Sequence, residues 1–86
     1  MDIYKIEWKK SAIKELKKIN KKEIPKILNQ IEKLAENPFP ANYKKFLGTE
    51  HVYRIRIGNY RVLYSLYENE LIIEVIKVGD RKNIYK

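Results

Sequence analysis

The four arginines of this chain, Arg54, Arg56, Arg61 and Arg81, all lie between positions 54 and 81, whereas the other fifteen of its 19 basic residues are lysines spread from end to end. A chain that uses lysine for plain positive charge keeps arginine where the planar guanidinium fork matters, and that fork meets phosphate oxygens two at a time. The C-terminal segment is therefore read as phosphate-handling. Arg54 and Arg56 are two residues apart, and Arg61 follows Gly58-Asn59, a pair with hairpin-turn chemistry. Alternation along a strand places Tyr53, Ile55 and Ile57 on one face and Arg54 and Arg56 on the other. On the returning strand Tyr60, Val62, Tyr64 and Leu66 oppose Arg61, Leu63, Ser65 and Tyr67. The expectation is an apolar face under helices and an open face that gathers Arg54, Arg56 and Arg61. Arginine on the wet face of an antiparallel sheet also serves as ordinary surface, and spacing alone leaves both readings standing.

The elements that must hold these side chains follow from periodicity. Residues Ile3 to Trp8 alternate, with Tyr4, Ile6 and Trp8 on one side, as in a half-buried strand. The period then lengthens. Ala12, Ile13, Leu16 and Ile19 recur at helical spacing, and after Asn20 a second helical set runs through Ile24, Ile27, Leu28, Ile31, Leu34 and Ala35. Pro25 suits the first turn of that second helix, and Asn37-Pro38 with Pro40 ends it. Asn20 with Glu23 reads as a capping arrangement, which makes the link short and the two helices an antiparallel hairpin. A short strand is expected at Lys44 to Leu47. Three further strands, Val52 to Ile57, Tyr60 to Tyr67 and Leu71 to Val78, are rich in β-branched and aromatic residues. The last is less regular: Leu71, Ile73 and Val75 read as buried, while Ile72 and Ile76 fall opposite them beside Glu74. The predicted class is α+β in β-α-α-β-β-β order: an N-terminal strand, a two-helix antiparallel hairpin, then a three-to-four-stranded antiparallel sheet, all in one domain spanning 1–86.

Composition narrows the function. A net charge of +8 calls for an anionic partner, either nucleic acid or an acidic protein. With no cysteine and His51 the lone histidine, neither a disulfide framework nor a transition-metal site is expected, and no cofactor is implied. The first ten residues have no apolar signal-like core, and no apolar run approaches ~18 residues, so a cytoplasmic, non-membrane protein is expected. The lysines of the first helix, Lys9, Lys10, Lys14, Lys17 and Lys18, form a solvated face or a contact to nucleic acid backbone. The tyrosines Tyr4, Tyr53, Tyr60 and Tyr64, and Trp8, suit core and cross-strand packing better than base stacking.

The segment from Tyr53 to Tyr85 resembles the RelE/ParE superfamily of toxin-antitoxin toxins, and within it the RelE branch. The resemblance is carried by the Tyr-Arg-Ile-Arg strand at Tyr53 to Arg56, the Gly-Asn-Tyr-Arg turn ending at Arg61, and Val78-Gly79-x-Arg81 followed by Tyr85. Upstream, the strand, helix hairpin and proline-rich loop match the family in order and length. What the resemblance implies is a ribosome-dependent mRNA endoribonuclease acting in the A site, held in check by an acidic antitoxin. Its catalytic positions fall on Arg56, Arg61, Arg81 and Tyr85, and its RNA contacts on Arg54, Arg56, Arg61, Lys77 and Lys82. ParE-type members, which poison DNA gyrase, and a basic RNA-binding domain without catalysis are the alternatives. Two strand positions often occupied by lysine in the family are arginine here, and the C-terminal helix of many relatives has no counterpart after Tyr85.

Cleavage by the RNA's own 2′-OH needs a base, cations for the phosphorane and an acid for the leaving 5′ oxygen. Tyr85 is the candidate base. At a pKa of ~10 a tyrosine is only about 0.1% ionised at pH 7, a deficit of about 4 kcal/mol, of which nearby guanidinium groups recover ~1 to 3 pKa units. The ribosome dependence that the resemblance implies fits this deficit, because positioning of a substrate can supply several kcal/mol. Arg81 is the family's leaving-group acid, a role for which a guanidinium is chemically weak.

Overall fold

The computed structural model describes residues 3–46 and 48–80. Its elements are β1 (Lys5–Trp8), α1 (Lys10–Lys17), α2 (Ile24–Lys33), β2 (Tyr43–Lys45), β3 (Val52–Ile57), β4 (Tyr60–Tyr67) and β5 (Ile72–Asp80). The predicted order and the β3 and β4 limits agree with the structure. The sheet differs in one respect: it has five strands in the order β1-β5-β4-β3-β2, and β1 pairs parallel to β5. The N-terminal strand thus forms the far edge of the sheet instead of standing before it: the helix hairpin carries the chain from β1 at one edge to β2 at the other, and three antiparallel reversals bring β5 back beside β1 in the same direction.

Both helices lie on one face. Ala12 and Ile19 from the first helical segment, and Ile27, Ile31 and Leu34 from the second, meet Ile55, Ile57, Val62, Tyr64, Leu66, Ile73, Val75 and Val78 from the sheet. Ile13, by contrast, is 38% exposed, so the first helix buries a narrower stripe than its spacing predicted. The link between the helices also differs from expectation. Asn20 Oδ1 accepts a hydrogen bond from Lys22 N at 3.0 Å and closes a turn of its own, while Glu23 occupies the N-cap of α2 with no side-chain cap bond. Asparagine side chains readily bond the backbone two residues on, and here that local turn wins over capping. Pro25 does sit in the first turn.

Two turns govern the register. Gly58 has φ +60° and precedes Asn59, which lies in the ordinary negative-φ region, so the β3–β4 hairpin has the type II′ pattern with glycine first. Leu71, predicted as a buried strand residue, instead closes the β4–β5 turn at φ 54° and is 36% exposed. Between β4 and β5 the register shifts: Leu63 pairs with Lys77 and Tyr64 with Val75, leaving Ile76 as an extra residue. Such a bulge changes the phase of side-chain alternation. Ile73, Val75 and Val78 therefore all reach the core, which resolves the irregular pattern of the last strand.

The loop before β2 is tied down from the core. The Tyr64 hydroxyl donates to the Pro38 carbonyl at 2.5 Å, and burial, with Tyr53 and Tyr43 nearby, pushes its pKa well above the usual tyrosine value. β2 is shifted slightly from the expected strand, and the expected end at Leu47 lies outside the described residues. No helix among the described residues is long and apolar enough to cross a membrane.

Candidate phosphate-binding site

The β3–β4 hairpin places Arg56 directly opposite Arg61. The predicted cluster is thus tighter than diagonal spacing required, since directly paired side chains on one face have Cβ atoms ~4.5 to 5.5 Å apart. Arg54 pairs with Leu63, one step along the same face from Arg61, and on the outer side Lys44 of β2 pairs with Arg54. On the inner side Leu63 pairs with Lys77 and Arg61 with Gly79. Lys44, Arg54 and Lys77 consequently share a cross-strand row with Leu63, and Arg56 and Arg61 share the next. Lys44 escaped the sequence reading. Its only signal is the pairing of a three-residue strand across a loop, which no local pattern announces.

The expected open face needs correction. Arg56 is exposed and Arg54 half-buried, but Arg61 is only 7% exposed, and its neighbours on the same face of β4, Leu63 and Ser65, are 5% and 4% exposed. β4 is the central strand, between β5 and β3, and its outward residues Arg61, Leu63 and Ser65 are enclosed although the helices lie on the other face. Arg61 Nε and Nη1 are fully buried, and among the described residues neither has a hydrogen-bond partner.

That combination is costly for the fold. Like charges directly opposite across two strands repel, and each buried donor left without an acceptor costs about 1 to 3 kcal/mol, more when charged. An anion held against the two guanidinium groups would offset their mutual repulsion. Beside them, a Cβ added at Gly79 would meet no described residue within 4 Å. β5 ends at Asp80, paired with Tyr60 next to Arg61, which carries the chain to this end of the sheet. Arg81, Lys82 and Tyr85 lie outside the described residues.

Other candidate groups sit elsewhere. His51 packs against the Tyr67 ring with centroids 5.6 Å apart, at the end of β3 away from Arg56. Tyr4, Tyr53, Tyr60 and Trp8 pack against the core, as expected of structural aromatics. A cavity of about 390 Å³ opens between the end of α1 and the outer edge of β5, lined by Glu15, Lys18, Asn20, Tyr60, Lys77 and Asp80 among others. Its mixed charge makes it a poor phosphate site. Lys77 borders it, so its place beside the arginines rests on backbone register. Glu15 Oε1 there accepts from Val78 N at 3.0 Å, covering part of the strand edge that β1 leaves unpaired.

A family model described as the ParE toxin of the type II toxin-antitoxin system parDE matches residues 6–85. A curated relative from Methanocaldococcus jannaschii, named for the RelE toxin, is 34% identical over 86 residues, covering 96% of both chains. Among solved structures, the RelE–RelB complex of Pyrococcus horikoshii matches with a TM-score of 0.82 at 28% identity over 94% of this chain and 98% of that one. The intact RelBE toxin-antitoxin complex of Escherichia coli matches with a TM-score of 0.78 at 25% identity over 90% of this chain and 95% of that one. The match runs through the strands that carry the arginine cluster, and the chain belongs to the RelE/ParE family as a RelE-like toxin of a type II toxin-antitoxin system.

Proposed function

We propose that the toxin is a ribosome-dependent endoribonuclease, acting in the cytoplasm, that cleaves mRNA in the A site by attack of the RNA's 2′-OH on the adjacent phosphate. The observation that carries this reading is the direct opposition of Arg56 and Arg61 with two Arg61 donors buried and unpartnered. In this reading Arg61 and Arg56 stabilise the charge that builds on the phosphorane, where a preorganised donor is worth ~10²- to 10³-fold in rate. Arg54, with Lys77 and Lys82, holds the RNA backbone. Arg81 and Tyr85 act as acid and base by family resemblance. Low activity of the isolated protein is expected, because a tyrosine base starts mostly protonated and depends on the ribosome to position its substrate.

The partner that restrains the toxin is an acidic antitoxin whose apolar helix docks on this domain, bringing acidic residues near the arginines. Charge complementarity with a +8 surface supports it, as do the relatives crystallised with RelB. Co-purification from the native operon at low salt yields the complex if this is correct; free toxin alone counts against it.

Primer extension on translated mRNA tests the activity. Cuts inside codons at the A site are the expected result. The ParE description of the matching family model keeps a gyrase-directed toxin as the second reading. Intact message together with inhibited DNA supercoiling selects that one, and salt-dependent RNA binding without either effect selects a non-catalytic binder.

A further inference from the structure

The sheet narrows at its arginine end. Among the described residues β1 accompanies β5 only as far as the pairing of Trp8 with Val75, and β2 accompanies β3 only as far as Tyr43 with Ile55. Arg56, Arg61 and Gly79, which pair across β3, β4 and β5, stand beyond both limits. An edge strand that has lost its neighbour presents bare backbone groups and opens more readily toward the turn that follows. Here a side chain stands where each neighbour stops. On β5 it is Glu15, whose Oε1 accepts from Val78 N at 3.0 Å; on β3 it is Asn42, whose Nδ2 donates to the Arg56 carbonyl at 2.6 Å.

Asn42 reaches that carbonyl because the chain turns just before β2. Tyr43 N donates to the Pro40 carbonyl at 3.0 Å, so residue 42 leaves the ladder one step beyond the pairing of Tyr43 with Ile55, and its side chain takes over where the strand backbone ends. The loop behind it is held as well: Phe39 N donates to Asn37 Oδ1 at 3.1 Å, and the Tyr64 hydroxyl donates to the Pro38 carbonyl. A strut therefore runs from the core of β4, through residues 38–42, to the backbone from which the Arg56 side chain departs. An arginine on a loosened strand end is spread over many positions, whereas a fixed backbone confines its guanidinium, the condition for stabilising charge where it develops. We infer that Asn42 is a positioning residue for Arg56: its bond to the Arg56 carbonyl holds the end of β3 and thereby sets that guanidinium opposite Arg61. The inference rests on reading Arg56 as an RNA-handling residue, and it adds a residue outside the arginine cluster on which the cluster depends.

A double-mutant cycle tests it. Asn42→Ala lowers A-site cleavage by roughly three- to ten-fold, the range for one exposed hydrogen bond, and in an Arg56→Ala background the same substitution changes nothing further. The urea midpoint moves no more than for an ordinary surface substitution, since Asn42 is exposed. Asn42→Leu keeps the bulk without the donor and loses as much as Asn42→Ala. Undiminished cleavage by Asn42→Leu, or an equal fold loss with and without Arg56, overturns the proposal, because residue 42 then supplies shape or general stability and not the place of Arg56. The same cycle is run on affinity for a short single-stranded RNA, which separates this inference from the nuclease reading. Coupling in affinity without any cleavage keeps the role of Asn42 and removes the nuclease; cleavage without coupling does the reverse. An Arg56→Ala variant that binds and cleaves like the wild type overturns the positioning role together with the reading of Arg56.

Discussion

The two faces of the sheet are equally closed at its centre yet are closed by opposite chemistry. On the helix side, Val62, Tyr64 and Leu66 of β4 are 0 to 4% exposed and meet Ile27, Ile31 and Leu34, so that burial stabilises the fold. On the other side, Arg61, Leu63 and Ser65 of the same strand are 4 to 7% exposed, but the first of them buries a charge opposite a second arginine. One face is built for stability. The other stores an unmet demand for an anion, and the helix-side core is what allows the fold to carry that cost.

Substitutions on the two faces should therefore behave in opposite ways. The largest effect is expected for Arg61→Ala, which lowers A-site cleavage by roughly 10²- to 10³-fold while the melting temperature stays level or rises, since an unpartnered buried charge is removed. A drop in stability that accounts for the lost activity would erase the distinction between the faces. On the helix side, Ile31→Ala lowers stability by about 2 to 5 kcal/mol through lost burial and a residual cavity, measured by urea unfolding. RNA affinity per folded molecule should not change with it.

A smaller effect is expected from Tyr64→Phe. It leaves the Pro38 carbonyl without its donor and costs about 1 kcal/mol. The same variant carries a pH signature. Burial favours the neutral phenol of Tyr64 in the folded state, so its folded pKa lies above its unfolded value and the folded chain binds more protons at alkaline pH. That contribution is fully present below about pH 10, the ordinary tyrosine pKa, and is lost as pH rises beyond it. Wild-type stability should fall from about pH 10 upward more steeply than that of Tyr64→Phe, as followed by denaturant midpoints across pH. The smallest effect belongs to Lys44→Ala. It should weaken RNA binding uniformly across sequences and reduce the salt slope by about one, with no change in stability.

Much of the arginine face was legible in the chain because the signals were local. Gly58-Asn59 sets a two-residue hairpin, and the β-branched and aromatic residues on either side fix the strands. Once the hairpin exists, a side-chain period of two places Arg54, Arg56 and Arg61 together whatever the rest of the molecule does. The helix spacing was readable for the same reason, although Ile13 shows that periodicity marks candidates for burial and packing chooses among them.

What only the tertiary structure decided depends on residues far apart in sequence. The parallel seat of β1 against β5 is set by the helix hairpin that carries the chain to the opposite edge and by the three antiparallel pairings that bring it back, and the position of Lys44 beside Arg54 by a loop that brings β2 alongside β3. The extra residue at Ile76 reverses the phase of β5, which a strict two-residue alternation in the sequence hides. The burial of Arg61 is likewise a property of position and not of residue type: β4 became the central strand only when β5 and β1 joined one side and β3 and β2 the other. Local propensity and alternation determined which residues face the same way. Long-range pairing decided which of them water no longer reaches, and thereby turned one surface arginine into a buried cation with two donors that no described residue accepts.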